Sequence, residues 1–245
     1  MRNFTQQEIN EETLNYTKTH QAYLKLINGE ADLIVVTEPS KDELKLAKEK
    51  NVELEVIPVI KDGFVFYVNG KNEVSNLTLE QIQKIYTGDI KKWSEVGGKD
   101  APIRAFQRPE NSGSQTGMLS LVMKDKKIME APKENLVGTM SEIINLVSDY
   151  DNGLNSIGYS YYYYARTMYT TIDENVANGI KLLKVNGIEL NNATIKSGEY
   201  PLTTSYYIVI NKAEPEESNT RKLVNAMLSE RGQAIAESVG YVGVK

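Results

Sequence analysis

The chain has 245 residues, of which 40% are hydrophobic and 25% are charged, and its formal net charge is −5. This length allows one large domain or two small ones, and the acidic balance argues against a nucleic-acid surface. The sequence contains no cysteine and a single histidine, which excludes a thiol nucleophile, a disulfide framework and a multi-histidine metal site. These absences argue against an enzyme, and we expect neither a metal nor a cofactor.

Apolar and amphipathic segments alternate through the first seventy residues. The spacing predicts helices over 20–28 and from about 41 to 50, and strands over 31–36, 54–60 and 63–68. Ser40 with Glu43 three residues later predicts a capping box for the second helix. His20 lies where the first helix begins, which favours a capping or solvent-facing role over catalysis.

The same alternation continues to the end of the chain. Thr78 and Gln81 predict a second capping box, for a helix that Gly88 ends. The other predicted elements are strands over 103–106, 156–160, 180–185 and 205–210, and helices over 79–86, 114–124, 140–150, 216–228 and 232–239. This order indicates an α/β protein with mostly parallel sheets and flanking helices. Ligands of such folds bind at the carboxyl ends of strands.

Residues 106–116 contain the most informative pattern. Arg108 precedes the turn Ser112-Gly113-Ser114, which opens a predicted helix. Ser112 is a candidate N-cap, and the glycine lets an anion approach the backbone. The first amides of a helix lack internal partners, and an arginine can hold two oxygens of one anion. The pattern predicts an oxyanion site with phosphate as the first candidate, although most turns of this kind are only loop-to-helix transitions.

Four consecutive tyrosines at 161–164 admit two interpretations. A stacking platform for bases is one, but the negative net charge favours a helix that packs aromatic faces against a sheet. We expect no nucleic-acid partner. The sequence has no apolar run long enough for membrane insertion and shows no signal segment or lipid-anchor cysteine. We therefore expect either a cytosolic chain or one whose export segment has been removed.

Several separate motifs follow one another in a single order. They are Asn76-Leu-Thr-Leu-Glu-Gln-Ile-Gln-Lys-Ile-Tyr-Thr-Gly88, Trp93-Ser-Glu-Val-Gly-Gly98, Phe106-Gln-Arg-Pro-Glu-Asn-Ser-Gly-Ser-Gln-Thr116, Ile157-Gly-Tyr-Ser160, Tyr200-Pro-Leu-Thr203 and Gly232-Gln233 with Gly240-Tyr-Val242. Together they resemble the phosphate-binding protein of bacterial phosphate ABC transporters (PstS-like). The resemblance covers about residues 17 to 242. It is specific, because chance agreement in one motif would not bring the others with it.

The resemblance implies a two-lobed periplasmic-binding-protein fold of type II topology that closes on a dehydrated phosphate. One lobe would comprise residues 1–66 with 204–245, and the other residues 67–203, with crossing strands near Phe66 and Tyr206. The implied function is an extracytoplasmic solute-binding protein that captures inorganic phosphate and delivers it to the membrane permease of a phosphate ABC transporter. The alternative is a sensor or interaction module that keeps the fold and has weak or lost anion binding.

The resemblance also implies residue roles around the helix start. Arg108 matches the phosphate-binding arginine of the family, and Glu110 matches the acid that pairs with and orients this arginine. Ser112, Gly113 and Ser114 match the hydroxyl and amide donors.

Other implied ligands come from the first lobe. Thr37 and Glu38 fall where the family places an acid that accepts the proton of hydrogen phosphate and thereby selects against sulfate. Glu38 is longer than the usual Asp, which puts its reach into the site in question. Thr19 belongs to a turn that represents a second ligand loop placed before its helix.

The family normally begins with a strand and a Gly-Ser-Thr-like loop that gives phosphate another hydroxyl and amide, and residues 1–10 carry no such pattern. Each hydrogen bond that a buried phosphate loses costs about 1–3 kcal/mol. We therefore expect these 245 residues to bind phosphate about tenfold or more weakly than a relative with the loop. Calorimetry measures this difference, and tight binding by this chain would contradict the expectation.

Overall fold

The computed structural model describes residues 13–168 and 179–244. The prediction that residues 1–10 lack a first strand lies outside the described residues. Eight labelled helices lie within the described part: α1 (Thr19–Ile27), α2 (Lys41–Glu49), α3 (Leu79–Thr87), α4 (Gly113–Gly117), α5 (Met140–Ser148), α6 (Asn192–Ser197), α7 (Asn219–Leu228) and α8 (Glu230–Ser238). Within that part, each helix is too short or too polar to cross a membrane.

Nine strands complete the described architecture. They are β1 (Leu33–Val36), β2 (Leu54–Asn69), β3 (Asn76–Leu77), β4 (Arg104–Ala105), β5 (Ser156–Tyr161), β6 (Ile180–Leu182), β7 (Lys184–Val185), β8 (Thr203–Asn211) and β9 (Val242–Gly243). The main sheet has the order β1-β8-β2-β5-β4, with β6 and β9 also paired to β2, and β3 pairs β7 in a small second sheet. The mixed α/β class with a central sheet and flanking helices is confirmed.

Both predicted capping boxes are present. The hydroxyl of Ser40 accepts a hydrogen bond from the amide of Glu43 at 3.3 Å, and the Glu43 carboxylate accepts one from the amide of Ser40 at 2.7 Å. Thr78 and Gln81 make the same reciprocal pair at the start of α3. Gly88 ends that helix in the left-handed region, at a φ of 85° that glycine adopts without strain.

Strand direction differs from the prediction of mostly parallel sheets. Five of the seven ladders among the described strands are antiparallel, and only β3–β7 and β4–β5 are parallel. The reason is the position of β8. The strands β1 and β2 run in the same direction, as the strand-helix-strand order predicts, but β8 lies between them and runs opposite to both. The alternation of helices and strands along the chain does not reveal that a later strand lies between two earlier ones.

The strand β2 joins the two halves of the molecule. The sequence predicts two strands here, whereas the structure has one strand of 16 residues. Residues up to Gly63 pair with β8, and residues from Phe64 onward pair with β5. The apolar core changes at the same place: Phe64 and its successors belong to the largest core cluster, while Val59 belongs to a cluster with β8 and α7. The predicted lobe boundaries at Phe66 and Tyr206 stay a prediction.

Asp62 is a buried carboxyl group at this junction. Its Oδ1 accepts hydrogen bonds from the amides of Gly63 at 2.7 Å and Tyr163 at 3.2 Å, and its Oδ2 has no partner among the described residues. Burial raises the pKa of Asp62 from its ordinary value of 3.8 to about 7, against the lowering effect of the amides. The negative charge of Asp62 helps to raise the pKa of three nearby tyrosines, Tyr161, Tyr206 and Tyr241.

Asp62 gives the stability of the fold a defined pH dependence. Above about pH 4 the unfolded chain releases this proton, whereas the folded chain keeps it up to about pH 7. Stability therefore falls as the pH rises through this window, by at most about 4 kcal/mol, and then levels off. Asp62→Asn keeps the Oδ1 acceptor and should remove this slope.

Denaturant unfolding at a series of pH values measures the slope. The exposed Asp32 provides the matched control, because Asp32→Asn should leave the slope of the unchanged chain intact. Equal slopes in the two variants would show that folding does not shift the pKa of Asp62.

Candidate anion-binding site

A cavity of about 460 Å³ brings most of the predicted site residues together. One wall comes from the start of α1 and the end of β1, and the other from residues 108–114 with Gly138 and Met140. Seven predicted residues line the cavity: Thr19, Thr37, Arg108, Glu110, Ser112, Gly113 and Ser114. Glu38 does not line it.

The turn that carries Arg108 is held by the strand β5. The backbone amide of Arg108 donates to the hydroxyl of Tyr159 at 2.9 Å. Asn111 then takes a left-handed conformation with a φ of 62°, which an asparagine tolerates better than most residues. The hydroxyl of Ser112 accepts from the amide of Gln115 at 3.3 Å, so the predicted N-cap is confirmed. The helix is α-helical only to Gly117 and continues as a π-helical segment, Met118–Met123.

The guanidinium of Arg108 is buried with few partners. The residue is 7% exposed, its Nη2 donates to the carbonyl of Gly138 at 3.0 Å, and its Nη1 lies 3.5 Å from the hydroxyl of Ser114. Its Nε has no hydrogen-bond partner among the described residues. Burial lowers the pKa of Arg108, although an arginine stays charged at neutral pH.

No described carboxylate forms an ion pair with Arg108. This includes Glu110, which the resemblance assigns to orient the arginine. Glu110 is exposed at the cavity wall, because the turn at Asn111 follows it directly. The carbonyl of Gly138 and the hydroxyl of Ser114 orient the guanidinium instead. Among the described residues, Arg108 therefore has no carboxylate within ion-pair distance, and Glu142 acts on its charge only from farther away.

Two threonine hydroxyls from the first wall converge on Gly113. A Cβ atom on Gly113 would lie 2.5 Å from Oγ1 of Thr37 and 2.7 Å from Oγ1 of Thr19. Thr37 is 4% exposed, and its hydroxyl has no hydrogen-bond partner among the described residues. The nearby hydroxyl of Tyr161 donates to the carbonyl of Gly113 at 3.0 Å. Only glycine fits where the two walls approach so closely.

The start of α1 supplies further donors. Lys18 is the N-cap residue and makes no side-chain capping bond. The first amides of this helix have no internal acceptor and carry the positive end of the helix dipole. Residues 17–21 line the cavity. The starts of α1 and α4 thus face the same space from its two walls.

Glu38 contacts the opposite wall outside the cavity. Its carboxylate accepts a hydrogen bond from the hydroxyl of Ser120, in the π-helical segment. The structure does not bring Glu38 to the site as the resemblance implies. The long side chain directs its carboxylate to Ser120 rather than toward Arg108.

His20 and the tyrosines complete the surroundings. The Nδ1 atom of His20 lies 2.9 Å from Oε1 of Glu43, and the residue is partly exposed at the cavity wall. Tyr161 ends β5, and the aromatic run continues as a helical turn in which Tyr163 stacks on Tyr241. Packing is therefore the role of Tyr163. The sequence reasoning missed Tyr159, Tyr161 and Gly138, although the alternation of tyrosines along β5 places the first two on one face.

Known proteins share sequence and fold with this chain. A family model described as a PBP superfamily domain matches residues 4–231. The phosphate-binding protein PstS of Borreliella burgdorferi is 29% identical over 191 residues, which cover 75% of this chain and 64% of that protein. PstS of Staphylococcus haemolyticus is 28% identical over 229 residues, which cover 91% of this chain and 69% of that protein. The chain thus spans about two thirds of the length of these curated relatives.

Solved structures share the fold. A substrate-binding protein from Clostridium perfringens, solved with bound phosphate, aligns with a TM-score of 0.72 at 24% identity, over 92% of this chain and 84% of that chain. An ABC-type phosphate transport receptor from Vibrio cholerae aligns with a TM-score of 0.68 at 22% identity, over 96% and 92%. Both relatives and the C. perfringens protein are named binding proteins, and the V. cholerae protein is named a transport receptor.

The close approach at Gly113 provides a test of the cavity. In Gly113→Ala the new Cβ would collide with the hydroxyls of Thr19 and Thr37, so the two walls must move apart. Overpacking of this kind costs about 1–3 kcal/mol, and we expect anion affinity to fall about tenfold or more.

Calorimetric titration with inorganic phosphate measures the change. Gly138→Ala is the matched control, because its Cβ would meet only the Glu142 carboxylate at 3.7 Å while the residue lines the same cavity. A loss of affinity that is equal in both variants would contradict the role of the Thr19–Gly113–Thr37 approach.

Proposed function

The chain belongs to the PBP superfamily, and from this premise we propose that it binds inorganic phosphate in the cavity at Arg108 and delivers it to the membrane permease of a phosphate ABC transporter. The PstS relatives and the phosphate-bound C. perfringens structure support the choice of ligand. A protein that delivers phosphate to this permease meets it on the periplasmic or cell-surface side of the membrane. The proposal therefore includes an extracytoplasmic location.

The observation that carries the proposal is the buried charge of Arg108, which forms no ion pair with a described carboxylate. A buried cation without a counter-ion is costly unless a binding partner supplies one. The guanidinium lies at the wall of a cavity that is also lined by the hydroxyl of Thr37, which has no partner by geometry among the described residues, and by the first residues of α1 and α4. A tetrahedral dianion in this space would neutralise the charge and accept the free hydrogen bonds. The site is therefore complementary to an oxyanion rather than to a cation or a neutral sugar.

Each proposed ligand has a defined task. Arg108 offers its free Nε and the remaining hydrogens of its fork to two oxygens. Gly113 and Ser114 present amides at the start of α4, and the hydroxyls of Ser112 and Ser114 add donors. Charge-assisted bonds of this type are about twice as strong as neutral ones.

The other wall supplies the hydroxyls of Thr19 and Thr37 together with the first amides of α1. Binding therefore needs both walls, so phosphate would favour the closed arrangement of two lobes, residues 1–66 with 204–245 and residues 67–203. The lobes would rotate about β2 and β8, which connect them. In this arrangement Glu110 and Glu38 are not direct ligands.

A second candidate is a sensor or interaction module with weak or lost anion binding. The contact between Glu38 and Ser120 favours it, because it withdraws one implied ligand from the cavity. Titration with phosphate discriminates the two candidates, since a module that has lost its ligand gives no heat of binding.

Replacement of Arg108 tests the proposed function. Truncation of one member of a buried charged pair costs about 2–5 kcal/mol, so Arg108→Ala should lower phosphate affinity by about a hundredfold or more. Without added anion the variant should be at least as stable as the unchanged chain, because it no longer buries an unpaired charge. Calorimetry and thermal unfolding measure the two effects.

The control is Arg231→Ala, which removes an exposed arginine of α8 and should leave phosphate affinity unchanged. Unaltered affinity in Arg108→Ala would reject the site. A large loss of stability in the absence of anion would mean that Arg108 serves the fold rather than the ligand.

A further inference from the structure

Two hydroxyl groups of β5 hold the segment that carries Arg108 and the start of α4. The hydroxyl of Tyr159 accepts a hydrogen bond from the amide of Arg108 at 2.9 Å. The hydroxyl of Tyr161 donates to the carbonyl of Gly113 at 3.0 Å. Side chains two positions apart lie on one face of a strand. A single strand therefore contacts the arginine and the helix start together.

The hydroxyl of Tyr159 makes a second bond that closes a buried network. It donates to the carboxamide oxygen of Gln115, which also accepts from the amide of Arg108 at 3.2 Å. The amide of Gln115 in turn donates to the N-cap hydroxyl of Ser112 at 3.3 Å. Tyr159, Arg108 and Gln115 are all buried. One hydroxyl thus links the backbone of the arginine to the first turn of α4.

Aromatic packing gives the ring of Tyr159 a defined place. Phe64 of β2 stacks on it with ring centroids 5.5 Å apart, and Phe66 and Tyr86 meet it edge-on. Phe66 is also its partner in the ladder between β2 and β5. Burial raises the pKa of Tyr159 above its ordinary range. Its hydroxyl therefore keeps a proton at neutral pH and can donate to Gln115 while it accepts from Arg108.

This network matters because a turn separates the arginine from the helix. Pro109, Glu110 and Asn111 lie between them, and Asn111 has a φ of 62°. A guanidinium and helix amides can hold one anion together only when their separation matches its size, to within about 0.5 Å. Groups that are held in place before binding also lose less conformational freedom when the anion arrives.

We propose that Tyr159 is a positioning residue of the anion site, whose hydroxyl fixes Arg108 relative to the start of α4 and thereby raises the affinity for phosphate. Tyr159 does not line the cavity, and its hydroxyl bonds to the backbone of Arg108 and the carboxamide of Gln115. It acts on the anion only through these residues. The inference rests on the proposed function, because it concerns the same Arg108 site.

Calorimetric titration of the whole chain with inorganic phosphate, compared with Tyr159→Phe, tests the proposal. The substitution keeps the ring and its packing but removes the hydroxyl, so we expect the affinity to fall about tenfold. Tyr200→Phe is the matched control, because Tyr200 is also buried and its hydroxyl donates to the carbonyl of Phe64 at 3.1 Å. This control should lower the thermal stability to a similar extent and leave phosphate affinity unchanged.

A double variant separates positioning from a general loss of stability. If Tyr159 acts through the arginine, Tyr159→Phe should lower the affinity by less than about threefold once Arg108→Ala is present. An effect on the fold alone would lower the affinity by the same factor in both backgrounds. A full loss of about tenfold in the Arg108→Ala background would therefore overturn the proposal.

Gln115→Met decides the question if Tyr159→Phe does not fold. It removes the oxygen that accepts from both Tyr159 and Arg108 but keeps a side chain of similar length, and phosphate affinity should again fall about tenfold. Unchanged affinity in the variant that folds would overturn this inference and leave the phosphate proposal standing. If the unchanged chain binds no phosphate, both the inference and the proposed function fail.

Discussion

A buried guanidinium that forms no ion pair with any carboxylate of the described residues is the feature on which the rest of this structure depends. Arg108 is almost inaccessible, one of its nitrogens is unsatisfied, and its remaining bonds go to a backbone carbonyl and a hydroxyl. Charge in such surroundings is unfavourable unless an anion shares them. The proposed anion explains three features together, because it would lie in the cavity between the capped start of α4 and the uncapped start of α1.

The fold brings these groups together through one long strand. The strand β2 pairs with β8 in its first part and with β5 in its second, and each part is covered by a different apolar core. The strand β5 positions the arginine turn through Tyr159, whereas β1 and α1 supply the threonine wall. The cavity therefore lies between elements that belong to different apolar clusters, and Gly113 marks the place where their contact leaves no room for a side chain.

Many of the polar groups that line this cavity are hydroxyls. Hydroxyl groups can both donate and accept, whereas amides and the guanidinium only donate. The longer side chain of glutamate at position 38 is consistent with its contact to Ser120. In the proposed site, Arg108 and the starts of α1 and α4 supply the donors for the anion.

The sequence by itself determined the local features. The capping boxes at Ser40 and Thr78 and the N-cap at Ser112 depend on bonds between residues three positions apart, so their side chains and spacing are sufficient to predict them. The grouping of Arg108 with Gly113 and Ser114 is local for the same reason. Only the tertiary structure decided that β8 lies between β1 and β2, that β2 is one strand, and that Glu38 contacts Ser120 instead of the cavity. These features depend on packing between segments that are distant in the chain, and a local pattern carries no information about which distant side chain will meet it.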